Sequence, residues 1–133
     1  MGRCLGLLLA LALPLLAQAA GEGAWQASSI GLTLNHRGES ASSRPLASSQ
    51  PVSGLMTLVA WRYALNGPTP AGLRVRLCSQ IRCTELDGES GTTQAFSGIP
   101  AAEPLRFIWE VPGGGRLLPA LKVRRNEVIV NYR

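Results

Sequence analysis

The sequence predicts an all-β fold, namely a small antiparallel β-sandwich that forms one domain. Apolar and polar residues alternate along several short segments, which is the pattern of strands with one buried face and one wet face. Glycine, proline and asparagine recur between these segments, roughly every ten residues, as they do in sandwiches and barrels. No window has the apolar spacing that an amphipathic helix requires.

Six segments carry the strand pattern, and a seventh is shorter. The clearest is LRVRLCS, in which Leu73, Val75 and Leu77 point to one side and the arginines between them point to the other. A short strand is also expected in RCTEL, residues 82–86. The longer predicted strands span residues 29–35, 54–65, 73–79, 105–111, 116–123 and 127–133.

The segments between the predicted strands are rich in turn residues. NGPTPAG separates the second and third strands, which we predict to pair as an antiparallel hairpin. VPGGGR predicts a chain reversal, and RRNE predicts a tight turn between the last two strands. The small polar segment 38–51 predicts an exposed loop or an irregular edge.

Residues 1–19 have the order of a secretory signal peptide. Arg3 precedes an apolar run, and a small-x-small triplet follows it. The run is too short for a membrane span, which needs about 20 residues. We predict cleavage after Ala19 or Ala20, which leaves a β-sandwich domain of residues 20–133 and implies export.

The exported chain is mildly basic. Without Arg3, twelve cations face eight acids, which gives a net charge of +4. Because the cations are dispersed, we expect no nucleic-acid partner, and no later segment predicts stable membrane insertion. Arg124 and Arg125 are adjacent and follow Lys122, which is the pattern of a solvated strand end.

Two cysteines, Cys78 and Cys83, remain after removal of the leader. An even pair in an exported chain favours a disulfide, since export leads to an oxidising compartment. Two free thiols remain an alternative. Redox chemistry is disfavoured because the spacing is not Cys-x-x-Cys, and zinc is disfavoured because His36 supplies only one further ligand.

No catalytic or metal-binding pattern is present. His36 is the only histidine and Asp87 the only aspartate, but no nucleophile motif accompanies them. Glu85, Asp87 and Glu89 alternate, yet the calcium-loop pattern is absent and Asp87-Gly88 favours a turn. We therefore predict a protein that is not an enzyme and that uses no metal or cofactor.

Three tryptophans are candidates for recognition or for the core. Trp61 and Trp109 lie in apolar strands, which favours burial. Trp25 lies near the mature N-terminus and is the better candidate for exposure. The residues alone thus predict a small exported β-domain that binds or interacts with other molecules.

Four long strings carry a resemblance to a known family: AAGEGAWQ, QPVSGLMTLVAWRYALNGPTPAGLRVRLCSQ, TELDGESGTTQ and PLRFIWEVPGGGRLLPALKVRRNEVIVNYR. They resemble the flagellar protein FlhE family over essentially all of residues 20–133. The resemblance implies a periplasmic accessory protein of the flagellar system, encoded beside membrane components of the export gate. It further implies a role in limiting proton leakage through the type III export apparatus. The family offers no catalytic motif to carry over.

We therefore expect a protein partner, a flagellar export or basal-body component, with candidate contacts at Trp25, the 38–51 segment, Lys122, Arg124 and Arg125. Two alternatives remain at this stage. One is a periplasmic assembly chaperone that binds flagellar subunits by strand addition. The other is a carbohydrate- or peptidoglycan-binding module.

Overall fold

The computed structural model describes residues 22–133, so the predicted signal peptide lies outside the described residues. This part of the chain contains eight strands and no helix, and hence no helix that could cross a membrane. The two antiparallel sheets confirm the predicted all-β class. The strands are β1 (Gly23–His36), β2 (Ser40–Ser42), β3 (Met56–Asn66), β4 (Arg74–Cys78), β5 (Cys83–Glu85), β6 (Ser90–Thr93), β7 (Arg106–Glu110) and β8 (Arg116–Tyr132).

Each sheet has four strands. Sheet I has the order β1-β8-β3-β6, and sheet II has the order β2-β7-β4-β5. The apolar faces of both sheets contribute to one core, as in a sandwich. Members of this core that are almost wholly inaccessible include Val59, Leu77, Phe96, Leu105, Phe107, Trp109, Val111 and Val128.

Aromatic rings from both sheets meet in this core. Phe107 and Trp109 of β7 stack at a centroid distance of 5.4 Å. Tyr63 of β3 meets both edge-on, at 6.3 Å from Phe107 and 6.0 Å from Trp109. Such offset and edge-to-face pairs add to the stabilisation that area burial alone provides. Trp61 is also buried, so the predicted core role of Trp61 and Trp109 is confirmed.

The predicted hairpin between residues 54–65 and 73–79 is wrong. β3 pairs with β6 and β8, whereas β4 pairs with β5 and β7. The loop between β3 and β4 crosses from one sheet to the other, a distance of about 10 Å that several extended residues span. Alternation marks a strand and its faces, but it does not identify the neighbouring strand.

The last two predicted strands, 116–123 and 127–133, form one continuous strand. β8 lies between β1 and β3 and pairs with both along its length. The tight turn predicted for RRNE is therefore wrong. These residues instead accommodate a β-bulge, which leaves the strand unbroken and changes the direction of its side chains.

The 38–51 segment is an irregular edge of sheet II, one of the two predicted outcomes. It contributes the short edge strand β2, and Leu46 forms a bridge with Leu105. Ser43 is buried, and its hydroxyl oxygen accepts a hydrogen bond from the backbone N–H of Phe107 at 3.0 Å. The segment is polar in composition, yet it is tied to the core.

A disulfide joins Cys78 to Cys83. The two residues are directly paired at the end of β4 and the start of β5. Ser79 donates its backbone N–H to the carbonyl oxygen of Arg82 across the intervening turn at 2.7 Å. The predicted disulfide is therefore present, and it closes a short hairpin at the edge of sheet II.

Candidate partner-binding site

Trp25 does not lie on the surface as expected. Its residue is only 6% exposed, and its indole Nε1–H donates a hydrogen bond to the carbonyl oxygen of Ala101 at 2.8 Å. β1 begins at Gly23, six residues earlier than predicted, and Trp25 is on its core side. The small neighbours Ala27 and Ser29 on that side conceal the alternation in the sequence, so the expected exposure is wrong.

Arg124 is the extra residue of the β-bulge in β8. Arg125 lies opposite Ala64 of β3, and Val123 lies opposite the next residue, Leu65. Arg124 therefore has no opposing residue on β3. A regular strand turns one of two consecutive side chains inward, but here both arginines are exposed.

The neighbouring strand β1 has an irregular residue, Gly31, at the position of the bulge in β8. Ile30 pairs with Arg125 and Leu32 pairs with Val123, so Gly31 lies opposite Arg124. Gly31 has a φ of 63°, a left-handed conformation that glycine adopts without a Cβ penalty. The sequence of β1 is thus locally suited to the bulge that exposes the arginine pair.

A buried carboxylate lies beside these arginines on the outer face of sheet I. The Glu127 side chain is 6% exposed, and its Oε1 accepts a hydrogen bond from Nη2 of Arg62 at 2.7 Å. Gln26 donates its amide N–H to the other carboxylate oxygen, and Nη2 of Arg125 lies 3.8 Å from that oxygen. A buried charge requires such partners, because removal from water is costly.

Three arginines surround a shallow cleft of about 270 Å³ above this carboxylate. Its charged groups are three guanidinium groups and one carboxylate, so the cleft has a net positive charge. Glu127 holds two of the guanidinium groups, whereas Arg124 makes no ion pair within residues 22–133. The cleft is lined by Arg62, Tyr63, Ala64, Arg124, Arg125 and Glu127.

Lys122 extends this basic surface along β8. It is exposed between the buried residues Leu121 and Val123, which places it on the outer face of sheet I. We call Arg62, Lys122, Arg124 and Arg125 the basic patch. Guanidinium groups bind carboxylates through paired N–H donors, so the chemistry of the patch suits an acidic ligand.

Sequence reasoning found three residues of the basic patch and missed Arg62, together with its partner Glu127. Arg62 lies directly opposite Glu127 in the register of β3 and β8. Their opposite charges are a cross-strand signal only when the two strands are known to be neighbours. Because the predicted hairpin paired β3 with β4, Arg62 and Glu127 were not identified from the sequence as neighbours.

Other polar groups of the described chain are not arranged as a reaction centre. His36 is exposed, and its Nδ1 lies 3.7 Å from the carboxylate of Glu39. Within residues 22–133, no three His, Cys, Asp or Glu side chains lie together so that they would hold a metal ion. Trp25, Trp61 and Trp109 are 6%, 8% and 0% exposed, so none of them offers an open indole face.

The fold and the site together define a class: a small two-sheet all-β domain with a basic cleft on the outer face of one sheet. A family model described as "Flagellar protein FlhE" matches residues 31–133. The chain is 80% identical over 127 residues to the flagellar protein FlhE of Escherichia coli (strain K12), covering 96% of this chain and 98% of that protein. It is 41% identical over 124 residues to the flagellar protein FlhE of Yersinia enterocolitica, with coverage of 91% and 87%.

A solved structure has the same fold. It is titled "Crystal Structure of FLHE", is 78% identical in sequence and superposes with a TM-score of 0.84, covering 86% of this chain and 99% of that chain. The chain belongs to the FlhE family of flagellar proteins.

Proposed function

We propose that this chain is a periplasmic accessory protein that limits proton leakage through the flagellar type III export apparatus by binding one of its components. The observation that carries the proposal is the basic patch, since it offers an exposed, pre-arranged surface for an acidic segment of a partner. Membership of the FlhE family supports the flagellar setting. The disulfide supports an oxidising compartment outside the cytoplasm.

The architecture of the patch favours recognition over simple solvation. Arg62 donates a hydrogen bond to Glu127, Arg125 lies 3.8 Å from the same carboxylate, and both arginine side chains remain more than half exposed. Pre-arranged donors lose less side-chain freedom on binding than free ones. Arg124 keeps its donors for a ligand, and a carboxylate can accept two parallel N–H bonds from a guanidinium group.

A soluble protein can reduce leakage by preferring one state of the export apparatus. A ligand shifts an equilibrium between open and closed states only by its differential affinity for them. Under this proposal, the basic patch binds acidic groups that the closed state presents together. No catalytic group or cofactor is needed for this effect.

The experiment measures cytoplasmic pH with a ratiometric fluorescent reporter in cells that lack this gene. The cells are complemented with the wild-type chain or with Arg124→Glu/Arg125→Glu. We expect acidification without the gene, full rescue by the wild-type chain and poor rescue by the variant. Because each reversal changes the charge by two, a matched control is Arg44→Glu/Arg106→Glu, which alters two exposed arginines outside the patch.

The same comparison in cells that lack the export gate distinguishes a proton leak through the gate from a general effect on cytoplasmic pH. Acidification that persists without the gate would rule out the leak-limiting role. Full rescue by Arg124→Glu/Arg125→Glu, at matched protein levels, would leave the function possible but remove the basic patch from it. Equal loss with the control variant would point to net charge instead of this surface.

The three tryptophans do not support the carbohydrate-binding alternative. Stacking on a sugar requires an exposed aromatic face, and the three tryptophans are almost wholly buried. Titration of tryptophan fluorescence with peptidoglycan fragments should therefore show no saturable change.

A further inference from the structure

β1 leaves a long sheet edge open. It pairs with β8 on one side, and within residues 22–133 no strand pairs with its other side. β1 has 14 residues, whereas the other edge strands β2, β5 and β6 have only 3, 3 and 4. Short edges are one means by which proteins prevent unwanted pairing, and β1 does not use it.

The composition of β1 also lacks the usual protection of an edge. Residues 23–35 contain no charged residue and no proline. Pairing with β8 is regular from Gly23 to Ile30, and the conformation of Gly31 ends this straight part. The eight residues Gly23–Ile30 therefore present a straight, uncharged row of backbone donors and acceptors, the kind of edge to which another strand adds.

We propose that this edge pairs with the same segment of a second copy of the chain, antiparallel about a two-fold axis at Ala27. The interface is isologous, so each contact away from the axis occurs twice, once on each side of it. On the outer face, Ala24 lies opposite Ile30 and Gln26 lies opposite Ser28. The first pair is apolar and the second is able to form a hydrogen bond, so the segment is complementary to itself.

The second copy is favoured over other strands by the self-complementarity of segment 23–30 and by the exposure of Ile30. The processed chain has a net charge of +4, so its copies repel at most surfaces, but the neutral segment 23–30 adds no repulsion of its own. Ile30 is 84% exposed, more than any other large apolar residue described. Pairing covers part of this side chain with Ala24 of the second copy.

The pairing would join two copies of sheet I into one eight-stranded sheet. β8 is adjacent to β1, so both copies of the basic patch would lie on the same side of it. From strand spacing and rise per residue, the two copies of Arg125 are separated by about 25 Å. A target with acidic groups at that spacing would be bound at two points, which raises avidity.

Analytical ultracentrifugation of the exported, processed chain tests the inference over about 1–100 µM. We expect a reversible dimer. Ala24→Lys/Ile30→Lys places two ammonium groups against each other on both sides of the axis, so we expect the dissociation constant to rise about tenfold or more. The matched control is Ala47→Lys/Ile81→Lys, which adds the same two charges at exposed residues outside β1 and should leave dimerisation unchanged.

The position of the axis has its own test, Ala24→Cys/Ile30→Cys, in which the new thiol at position 24 of one copy would lie opposite the new thiol at position 30 of the other on the exposed outer face. The native cysteines are already joined, so an interchain disulfide under mild oxidation reports this contact, and Ile81→Cys is the control.

A monomer at all concentrations overturns the proposal, and so does a dimer that persists in Ala24→Lys/Ile30→Lys with an unchanged urea midpoint. A dimer lost in that variant but not cross-linked in Ala24→Cys/Ile30→Cys overturns the proposed axis. A monomer that copurifies with rod or hook subunits assigns the edge to a donated strand instead.

Discussion

Exchange of Arg62 for methionine removes the guanidinium group that lies closest to the buried carboxylate of Glu127. Arg62 Nη2 lies 2.7 Å from Glu127 Oε1. A hydrogen bond to a charged group contributes about 1.5–3 kcal/mol, but the Arg62 side chain is 67% exposed and is therefore screened by water. Gln26 and Arg125 also remain near the carboxylate. We expect the free energy of unfolding to fall by about 1 kcal/mol.

A double-mutant cycle with Arg62→Met and Glu127→Gln isolates the interaction from other effects of each exchange. Urea unfolding, followed by tryptophan fluorescence, supplies the four free energies. The control cycle uses Arg74 and Glu85, an ion pair in which both side chains are 55% exposed, and we expect a coupling below about 0.5 kcal/mol there. A coupling at Arg62–Glu127 no larger than in the control would refute the view that Glu127 organises the cleft.

Three further predictions concern the scaffold. Gly31→Ala, at a φ of 63°, should lower the free energy of unfolding by about 1–2 kcal/mol in urea titrations, whereas Gly114→Ala, in open space, should have little effect. Cys78→Ser/Cys83→Ser should lower it by about 2 kcal/mol, because the disulfide closes only a short loop, and dithiothreitol should have no further effect on the double variant. Burial, and then the charge of Glu89, raise the pKa of Tyr63, so the folded state favours the protonated phenol. The contribution of Tyr63 to the free energy of unfolding should therefore be fully present below pH about 10 and should be lost as the pH rises above it. Urea midpoints measured across this range should fall less in Tyr63→Phe.

The strands of this fold were largely predictable from alternation, but their pairing was not. Val75 and Leu77 alternate with arginines, and this local pattern located β4 correctly. β2 and β6 escaped prediction because they consist of small residues with little apolar contrast. Which strands lie side by side depends on contacts between distant parts of the chain, and a single sequence states this only weakly.

The site shows the same division between local and distant information. Arg124 and Arg125 were identifiable as an adjacent basic pair, although the turn assigned to them is a bulge. Residues that favour turns occur both in tight turns and in β-bulges. A bulge forms here because β1 and β3 pair with the strand on both sides. The prediction for Trp25 was wrong because Ala27 and Ser29, which share its face of β1, are too small to indicate which face is buried.

β8 is the last of the eight strands in chain order, yet it lies between the first and the third in sheet I. β1 and β3 each use β8 as a neighbour and do not pair with each other. A nascent chain that lacks residues 116–132 therefore cannot assemble this sheet, however much of it has already been made. Assembly of sheet I therefore depends on residues 116–132, which supply the strand that β1 and β3 share.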